Sequence, residues 1–432
     1  MALGSVVTNA QASGDWVVST TWDNGVPVWV YGDAAQQSDA VINGGYTVAI
    51  NTGDAATAYR VPIGDNTNGE TGTLNMTGGT LQTDKMLSLG GFLNAASNGT
   101  GILNQSGGNI LVGANDPGPH YEQLVIGHKG TSHGIYNLSG GTMDAPEGLS
   151  IGHAATSSGE MHQTGGAITV GDNADPAQGY FNIGNSGLGT YTMEAGTVTM
   201  TTQPFYLGYA ATGNGAVVQS GGDIDAVNLI LGRLGVGNYS MSGGTLDVSE
   251  NAWIGSRGGA DGTYTLSSAA NVDIIGNLNV CAATDDGGAT PSGTSGELNL
   301  IGDGVTLTVG GNLIATGASV DSSNSSLINF TTSAAGGVST IGVTGSADVD
   351  GAVIDIVEST PLALGTVLDL VSTGIGVSNL AGASVGSTAA GTWTLRLGGM
   401  DDKVLQAVKV PEPSCAVLVL IGAIVAHAFR RR

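Results

Sequence analysis

The chain has 432 residues, with 35 Asp and Glu against 11 Lys and Arg and a net charge of −24. That balance excludes a nucleic-acid binder, which needs clustered Lys and Arg, and suits a soluble, self-repelling surface outside the cell. The 74 glycines and 11 prolines approach the composition of a disordered chain, but 41% of residues are hydrophobic and recur in a regular pattern, so the body reads as folded. Two cysteines, Cys281 and Cys415, are too few for a disulfide framework. Cys281 reads as a small buried apolar residue.

In chain order, residues 1–12 read as the remnant of a secretion signal. Ala2 to Val7 is too short for an apolar signal core and no Lys or Arg precedes it, yet Ala10-Gln11-Ala12 has the Ala-x-Ala form of a signal-peptidase site. The expectation is a true start upstream and a mature protein beginning near Ser13. Residues 13–71 read as an N-terminal β cap. Trp16, Trp22, Trp29 and Tyr31 cluster there, followed by alternation over Ala40-Val41-Ile42 and Tyr46 to Ile50. An aromatic sugar-binding platform is the competing reading of these rings, and the cap is favoured.

Residues 72–325 are repetitive. One unit recurs from Gly72 (GTLNMTGGTL), Gly101 (GILNQSGGNI), Gly134 (GIYNLSGGTM), Gly159 (GEMHQTGGAI), Gly189 (GTYTMEAGTV), Gly215 (GAVVQSGGDI) and Gly237 (GNYSMSGGTL), with weaker copies at Gly262 and Gly296. The starts are 22 to 34 residues apart, a period that signals a solenoid. Within a unit the apolar spacing is two, as on a strand. Leu74 and Met76 face one side, Gly78-Gly79 turns a corner, Leu81 begins a second strand, and Leu87 and Leu89 form a third, closed by Gly90. Three short strands and three glycine corners per unit predict an all-β chain built as a parallel β-helix, right-handed, with rungs about 4.8 Å apart.

The register predicts two inward columns. Residues two after each start are Leu74, Leu103, Tyr136, Met161, Tyr191, Val217, Tyr239, Tyr264 and Leu298. Residues four after are Met76, Gln105, Leu138, Gln163, Met193, Gln219, Met241, Leu266 and Leu300. Three glutamines in an inward column would each need a satisfied amide. Exposed ends would pair with other chains, so caps are expected at both. Residues 326–409 read as the second cap, an antiparallel or mixed sheet with strands at Ala352–Val357, Thr366–Val371, Thr392–Leu397 and Val404–Val410.

No catalytic residues stand out. Glycoside hydrolysis needs two carboxylates facing one bond, and the acidic residues Asp65, Glu70, Asp116, Asp172, Asp175, Asp285 and Asp286 fall in expected loops. Only eleven basic residues exist, three of them terminal, which leaves little for a basic groove. His128 and His153 each follow a rung-closing glycine and should lie one rung apart, about 5 Å from each other. They are the candidate metal pair, against a reading as two surface histidines, while His133 and His162 should face elsewhere. Calcium is a second candidate at Gly64-Asp65-Asn66-Thr67-Asn68 or Gly171-Asp172-Asn173-Ala174-Asp175, though neither has full oxygen-ligand spacing. No cofactor is expected.

Residues 410–432 form a tripartite tail: Val410-Pro411-Glu412-Pro413-Ser414, an apolar run from Cys415 to Phe429 read as a short helix, and Arg430-Arg431-Arg432. The prolines break structure before the run. The run is shorter than the ~20 residues of a comfortable membrane helix, and the arginines would hold its end on the cytoplasmic side. This tail resembles the PEP-CTERM sorting signal. The resemblance implies export by way of the inner membrane, transient insertion through the tail, cleavage by an exosortase-type membrane enzyme, and a final place at the cell surface, in the outer membrane or outside the cell. The Gly-rich repeats also resemble the passenger regions of autotransporter-like surface proteins. Together the resemblances imply a non-catalytic structural or adhesion protein, with extracellular polysaccharide as a partner. The alternative is a glycan-binding or glycan-cleaving β-helix, which would need the tyrosine column 136, 191, 239, 264 to point outward.

Overall fold

Along each repeat the residues at positions zero, two and four are small, apolar or glutamine, and most of their neighbours are polar. On a strand, whose side chains alternate, this sorts them to opposite faces. The computed structural model describes residues 6–30, 37–113, 124–171, 180–282, 292–317, 322–386 and 392–411. In Thr71–Met76, Thr100–Gln105 and His133–Leu138, half-buried and buried residues alternate from end to end. The protein is nearly all β, 54% strand, and its parallel sheets stack into a β-solenoid of about twelve turns.

One rung consists of Thr71–Met76, Thr80–Thr83 and Leu87–Leu89. The next is Thr100–Gln105, Asn109–Val112 and Leu124–Ile126, each strand pairing in parallel with its counterpart. First and second strands share one sheet that folds at the Gly-Gly corner. Ser158–Val170 and Leu188–Met200 run through that corner as single strands with a bulge. Third strands form a separate twelve-stranded sheet from Val61–Ile63 to Gly376–Ser378. The nine starting glycines stack in register, and both expected inward columns follow them residue for residue. Every member of the two columns is buried.

Glycine is required at two places per rung. A Cβ on the starting Gly101 would lie 2.3 Å from the carbonyl oxygen of Ile63, the last residue of the third strand two rungs back. The closing glycines Gly64, Gly90, Gly127, Gly152, Gly184, Gly208, Gly232 and Gly255 all have φ between +66° and +77°, where a side chain is strained. Each from Gly90 onward donates its N–H to the last residue of the preceding third strand, as Gly127 does to Leu89 at 2.7 Å. The next place in this column is held by Cys281, with φ +51° and its N–H on Ile254 at 2.8 Å. Cys281 is buried, as expected, and burial pushes its thiol up to about 11.

The inward glutamines are satisfied by a motif that spans two rungs. Tyr136, Tyr191 and Tyr239 donate their hydroxyls to the Oε1 of Gln105, Gln163 and Gln219 in the preceding rungs, each at 2.5 Å. The amide nitrogens donate to backbone carbonyls, for Gln105 those of Gly108 and Thr142. Gln163 repeats this with Gly166 and Thr197, and Gln219 with Gly222 and Thr245. Tyr264 breaks the alternation. The preceding rung offers Met241 instead of glutamine, and the buried Tyr264 hydroxyl has no partner.

The ends differ from the simple caps expected. Thr47–Ile50, Ala55–Ala58 and Val61–Ile63 already form a rung in parallel register with the first repeat. Residues 6–12, expected as a leader remnant, are part of the fold: Val6–Asn9 pairs in parallel with Ser38–Val41 and Ala10 is buried. A chain cut before Ser13 would lose that outermost strand. Trp16 and Trp22 are fully buried and pack edge-on at 5.0 Å, closing the end of the core. Trp29 is also buried, which leaves no aromatic platform among these three; Tyr31 lies outside the described residues.

At the other end parallel rungs continue past residue 325. Ser325–Thr331 stacks on Ser295–Ile301, with Ser326, Ile328 and Phe330 taking the places of Gly296, Leu298 and Leu300. Val353–Val357 and Val367–Thr373 extend the first two strand columns. Of the antiparallel or mixed sheet expected here, the antiparallel part consists of Val404–Lys409 lying between Trp393–Gly398 and Val367–Thr373, the last of which also pairs in parallel with Ile341–Val343.

Candidate functional site

Because side chains alternate, the outward residues of each sheet form columns of their own, one residue per rung. The outer face of the first sheet carries amide ladders: Asn137 donates to Asn104 and Asn104 to Asn75, each at 2.8 Å. His133 and His162, expected to face different directions, both approach Glu160. Their Nε2 atoms lie 3.7 and 3.5 Å from its Oε1 and Oε2. The three positions all point outward on adjacent strands, which the register makes plain in retrospect.

The second strands carry acids on their outer face that were not singled out from the sequence. Asp225, Asp247 and Asp273 stand in one column, on strands Asp223–Ala226, Thr245–Val248 and Asn271–Ile274. They share an open concavity with Met200 and Ile275. Partial burial, then the neighbours Asp225, Asp273 and Asp223, raise the Asp247 carboxyl above its usual range.

The twelve-stranded sheet of third strands gathers cations that the first- and second-strand faces of the repeats lack. Eleven Lys and Arg include the terminal triplet, and of the other eight, five flank this sheet: Arg60, Lys85, Lys129, Arg233 and Arg257. The sequence reading left little for such a grouping, because residues spread along 200 positions converge only when rungs stack. Arg60 and Lys129 both sit over the Phe92 ring at 5.2 Å, and Arg60 also pairs with Asp39 at 3.5 Å. Arg233 lies over Tyr209 at 4.4 Å and Tyr206 at 5.6 Å.

His128 and His153 are at the centre of this face. Each follows a closing glycine, and their ring centroids are 4.9 Å apart and nearly perpendicular. The expected spacing is therefore observed. Phe92 stacks on the other side of His128 at 5.5 Å, and the His153 Nδ1 is 3.0 Å from the Asn185 amide. Burial, then His153 and Lys129, lower His128 to about 3, so its imidazole is neutral at ordinary pH. Among the described residues no group of three His, Cys, Asp or Glu is arranged to hold a metal ion. Of the calcium candidates, Asp65 spends its carboxylate on the N–H groups of Leu93 and Asn94, and Asn66 accepts from Asn68 and Glu70. Asp172 to Asp175 lie outside the described residues.

Along the corner after the third strands, the residue following the closing glycine is Asp65, Gly91, His128, His153, Asn185, Tyr209, Arg233 and Ser256 in successive rungs, with Phe92 beside His128. The signal was present as Ile-Gly-His, Ile-Gly-His, Ile-Gly-Asn, Leu-Gly-Tyr and Leu-Gly-Arg, but only the histidines were read from it. In the tail, the Val410 N–H donates to the Thr392 carbonyl at 2.8 Å and Pro411 is exposed. Glu412, Pro413, Ser414, the apolar run and Arg430 to Arg432 lie outside the described residues; among the described ones no helix is long and apolar enough to cross a membrane. The aromatic column 136, 191, 239, 264 is buried, which removes the outward platform that a glycan-active β-helix would have used there. No protein-family model matches the chain, and no curated protein matches it.

Proposed function

We propose that the protein is an exported, non-catalytic rod of the cell surface or extracellular matrix, sorted and cleaved at its C-terminus by an exosortase-type membrane enzyme. The carrying observation is the order of parts at the C-terminus. Val404–Lys409 is a strand bonded on both sides, Lys409 is locked to Glu358 at 2.6 Å, and two residues later Pro411 is exposed. The motif Val410-Pro411-Glu412-Pro413-Ser414, the apolar run and the arginine tip thus follow directly on the last described strand. About twelve rungs at about 4.8 Å give a rod of roughly 58 Å, suited to presenting a long side face away from its point of attachment.

The test is the intact mass of the protein recovered from its own cells, by fraction. The expected species ends near Pro413 and lacks the apolar run and arginines. An uncut tail in the membrane fraction would make it a simple anchor and overturn the sorting reading. The same mass shows whether the chain keeps Val6–Asn9 or begins near Ser13.

A further inference from the structure

We propose that His133, Glu160 and His162, on the outer face of the first strands, form a site for one divalent transition-metal ion of the zinc class. Three observations carry it. First, the backbone brings the three donors together. His133–Leu138 and Ser158–Val170 pair in parallel, with His133 level with Ser158 and Ile135 level with Glu160. Glu160 and His162 are two residues apart on one strand, so both point outward. The His133 Nε2 lies 3.7 Å from the Glu160 Oε1, and the His162 Nε2 lies 3.5 Å from its Oε2. The carboxylate thus stands between two imidazole nitrogens.

Second, the donor set is chemically specific. Two imidazoles and one carboxylate are a set that zinc takes as three protein ligands, with a fourth position open to water. Imidazole suits zinc, copper and nickel, whereas calcium and magnesium take oxygen ligands. The other histidine pair is less suited. His128 is buried against Phe92 with the Lys129 charge nearby, which disfavours a cation.

Third, His133 is held by a further group. Its Nδ1 lies 2.8 Å from the Ser158 Oγ. With Nδ1 as the donor, Nε2 keeps its lone pair towards Glu160. Metal-binding histidines are oriented by an outer hydrogen bond of this kind.

Closing on an ion requires side-chain rotation only. Ligands about 2.0–2.1 Å from a tetrahedral zinc stand about 3.4 Å apart, against the 3.5 and 3.7 Å observed. As placed, the nitrogens face different oxygens in an ion-pair arrangement, and the three groups do not surround one point. The side chains of His133, Glu160 and His162 are 30%, 45% and 43% exposed, so they turn without disturbing the core while the paired strands fix their Cα positions. The net charge of −24 also favours uptake of a cation.

The proposal goes beyond the display reading and does not depend on export or tail cleavage, because it concerns the purified chain. The experiment is calorimetric titration of the full, untagged chain with Zn²⁺ and with Ca²⁺, and with Co²⁺ to read the ligand field in the visible spectrum. The expected result is a Zn²⁺ site at least tenfold weaker in His133→Ala, Glu160→Gln and His162→Ala and unchanged in His153→Ala. Ser158→Ala should weaken it less, and Ser158→Thr should restore it. Urea midpoints with and without Zn²⁺ separate lost binding from lost folding, since the ion should stabilise the parent chain and not the three ligand variants. No Zn²⁺ binding, binding equal in all variants, or loss in His153→Ala alone overturns the site. Ca²⁺ binding that needs Glu160 and neither histidine would replace the ion class and also overturns it.

Discussion

Replacing Tyr191 and Tyr264 by Phe should have opposite effects, although both are fully buried tyrosines at the same place in their rungs. Tyr191 donates to the Gln163 Oε1 at 2.5 Å, so Tyr191→Phe leaves a buried amide oxygen without its donor. Such an orphaned group costs about 1–3 kcal/mol. Tyr264 has no acceptor, because Met241 stands where Gln105, Gln163 and Gln219 stand elsewhere. Its hydroxyl already bears the desolvation cost, about 1–3 kcal/mol from mutational data, and Tyr264→Phe should recover part of it. The two variants should therefore differ by roughly 2–4 kcal/mol. Met241→Gln should complete the motif, with Tyr264 as donor and the Gly244 carbonyl as one amide acceptor, as Gly222 is for Gln219.

Solenoids need not unfold in one step, since each rung contacts only its neighbours. The assay is therefore hydrogen exchange resolved by strand, alongside urea unfolding. Tyr191→Phe should lower protection over Ser158–Val170 and Leu188–Met200, whereas Tyr264→Phe should keep or raise it over Val236–Met241 and Asp261–Ser267. Equal loss in both tyrosine variants, or a lower urea midpoint in Met241→Gln, would refute the pairing argument.

Three further outcomes follow from the same geometry. His128 sits at about 3 in the fold against 6.5 unfolded, so its contribution is whole above pH 6.5 and is lost as pH falls toward 3. At 1.36 kcal/mol per unit this is about 2 kcal/mol between pH 6.5 and 5, and His128→Gln should flatten the pH slope of the urea midpoint there; an unchanged slope would contradict it. Cys281, at about 11, is thiolate in roughly one molecule in three thousand at pH 7.5. Peptide-resolved alkylation should find it inert until the protein unfolds, and rapid labelling of folded protein would refute its burial. Gly152→Ala should cost well over ~2 kcal/mol, because φ is +68° and the new Cβ would lie 2.3 Å from the Leu188 carbonyl oxygen. Gly259→Ala, at φ +80° with nothing within 4 Å, should cost only the left-handed penalty of about 1 kcal/mol; equal melting shifts would show that stacking is not what demands glycine.

The inward columns were legible because stacking repeats a local constraint at a fixed place. Gly101, Leu103 and Gln105 could be aligned with Gly134, Tyr136 and Leu138 without knowing the turn between them. The same template failed beyond residue 325, where Ser326 replaces the starting glycine and the corner lengthens so that Gly336-Gly337 no longer follows the strand directly, although Ile328 and Phe330 keep the register. Four of the strands there were read within two residues, while Ser325–Thr331, Ile341–Val343, Ser346–Asp348, Gly376–Ser378 and Ser384–Val385 were not, and alternation says which face a residue takes and not which strand lies beside it. His133 and His162 were expected to face different directions and Glu160 was not singled out, although their offsets of −1, +3 and +1 from the starting glycines put all three outward on adjacent strands.

The corner column after the closing glycines was read only at its histidines because its residues share a position and not a type. An inward residue must be apolar or find its partner in the next rung, as Gln105 does with Tyr136, since each side chain packs on the same place in the rungs above and below. The corner column changes from His through Asn and Tyr to Arg while Gly127, Gly152, Gly184, Gly208 and Gly232 stay fixed beside it. Tyr209→Ala and Arg233→Ala should therefore cost little stability, whereas one Cβ at the neighbouring glycines should cost much.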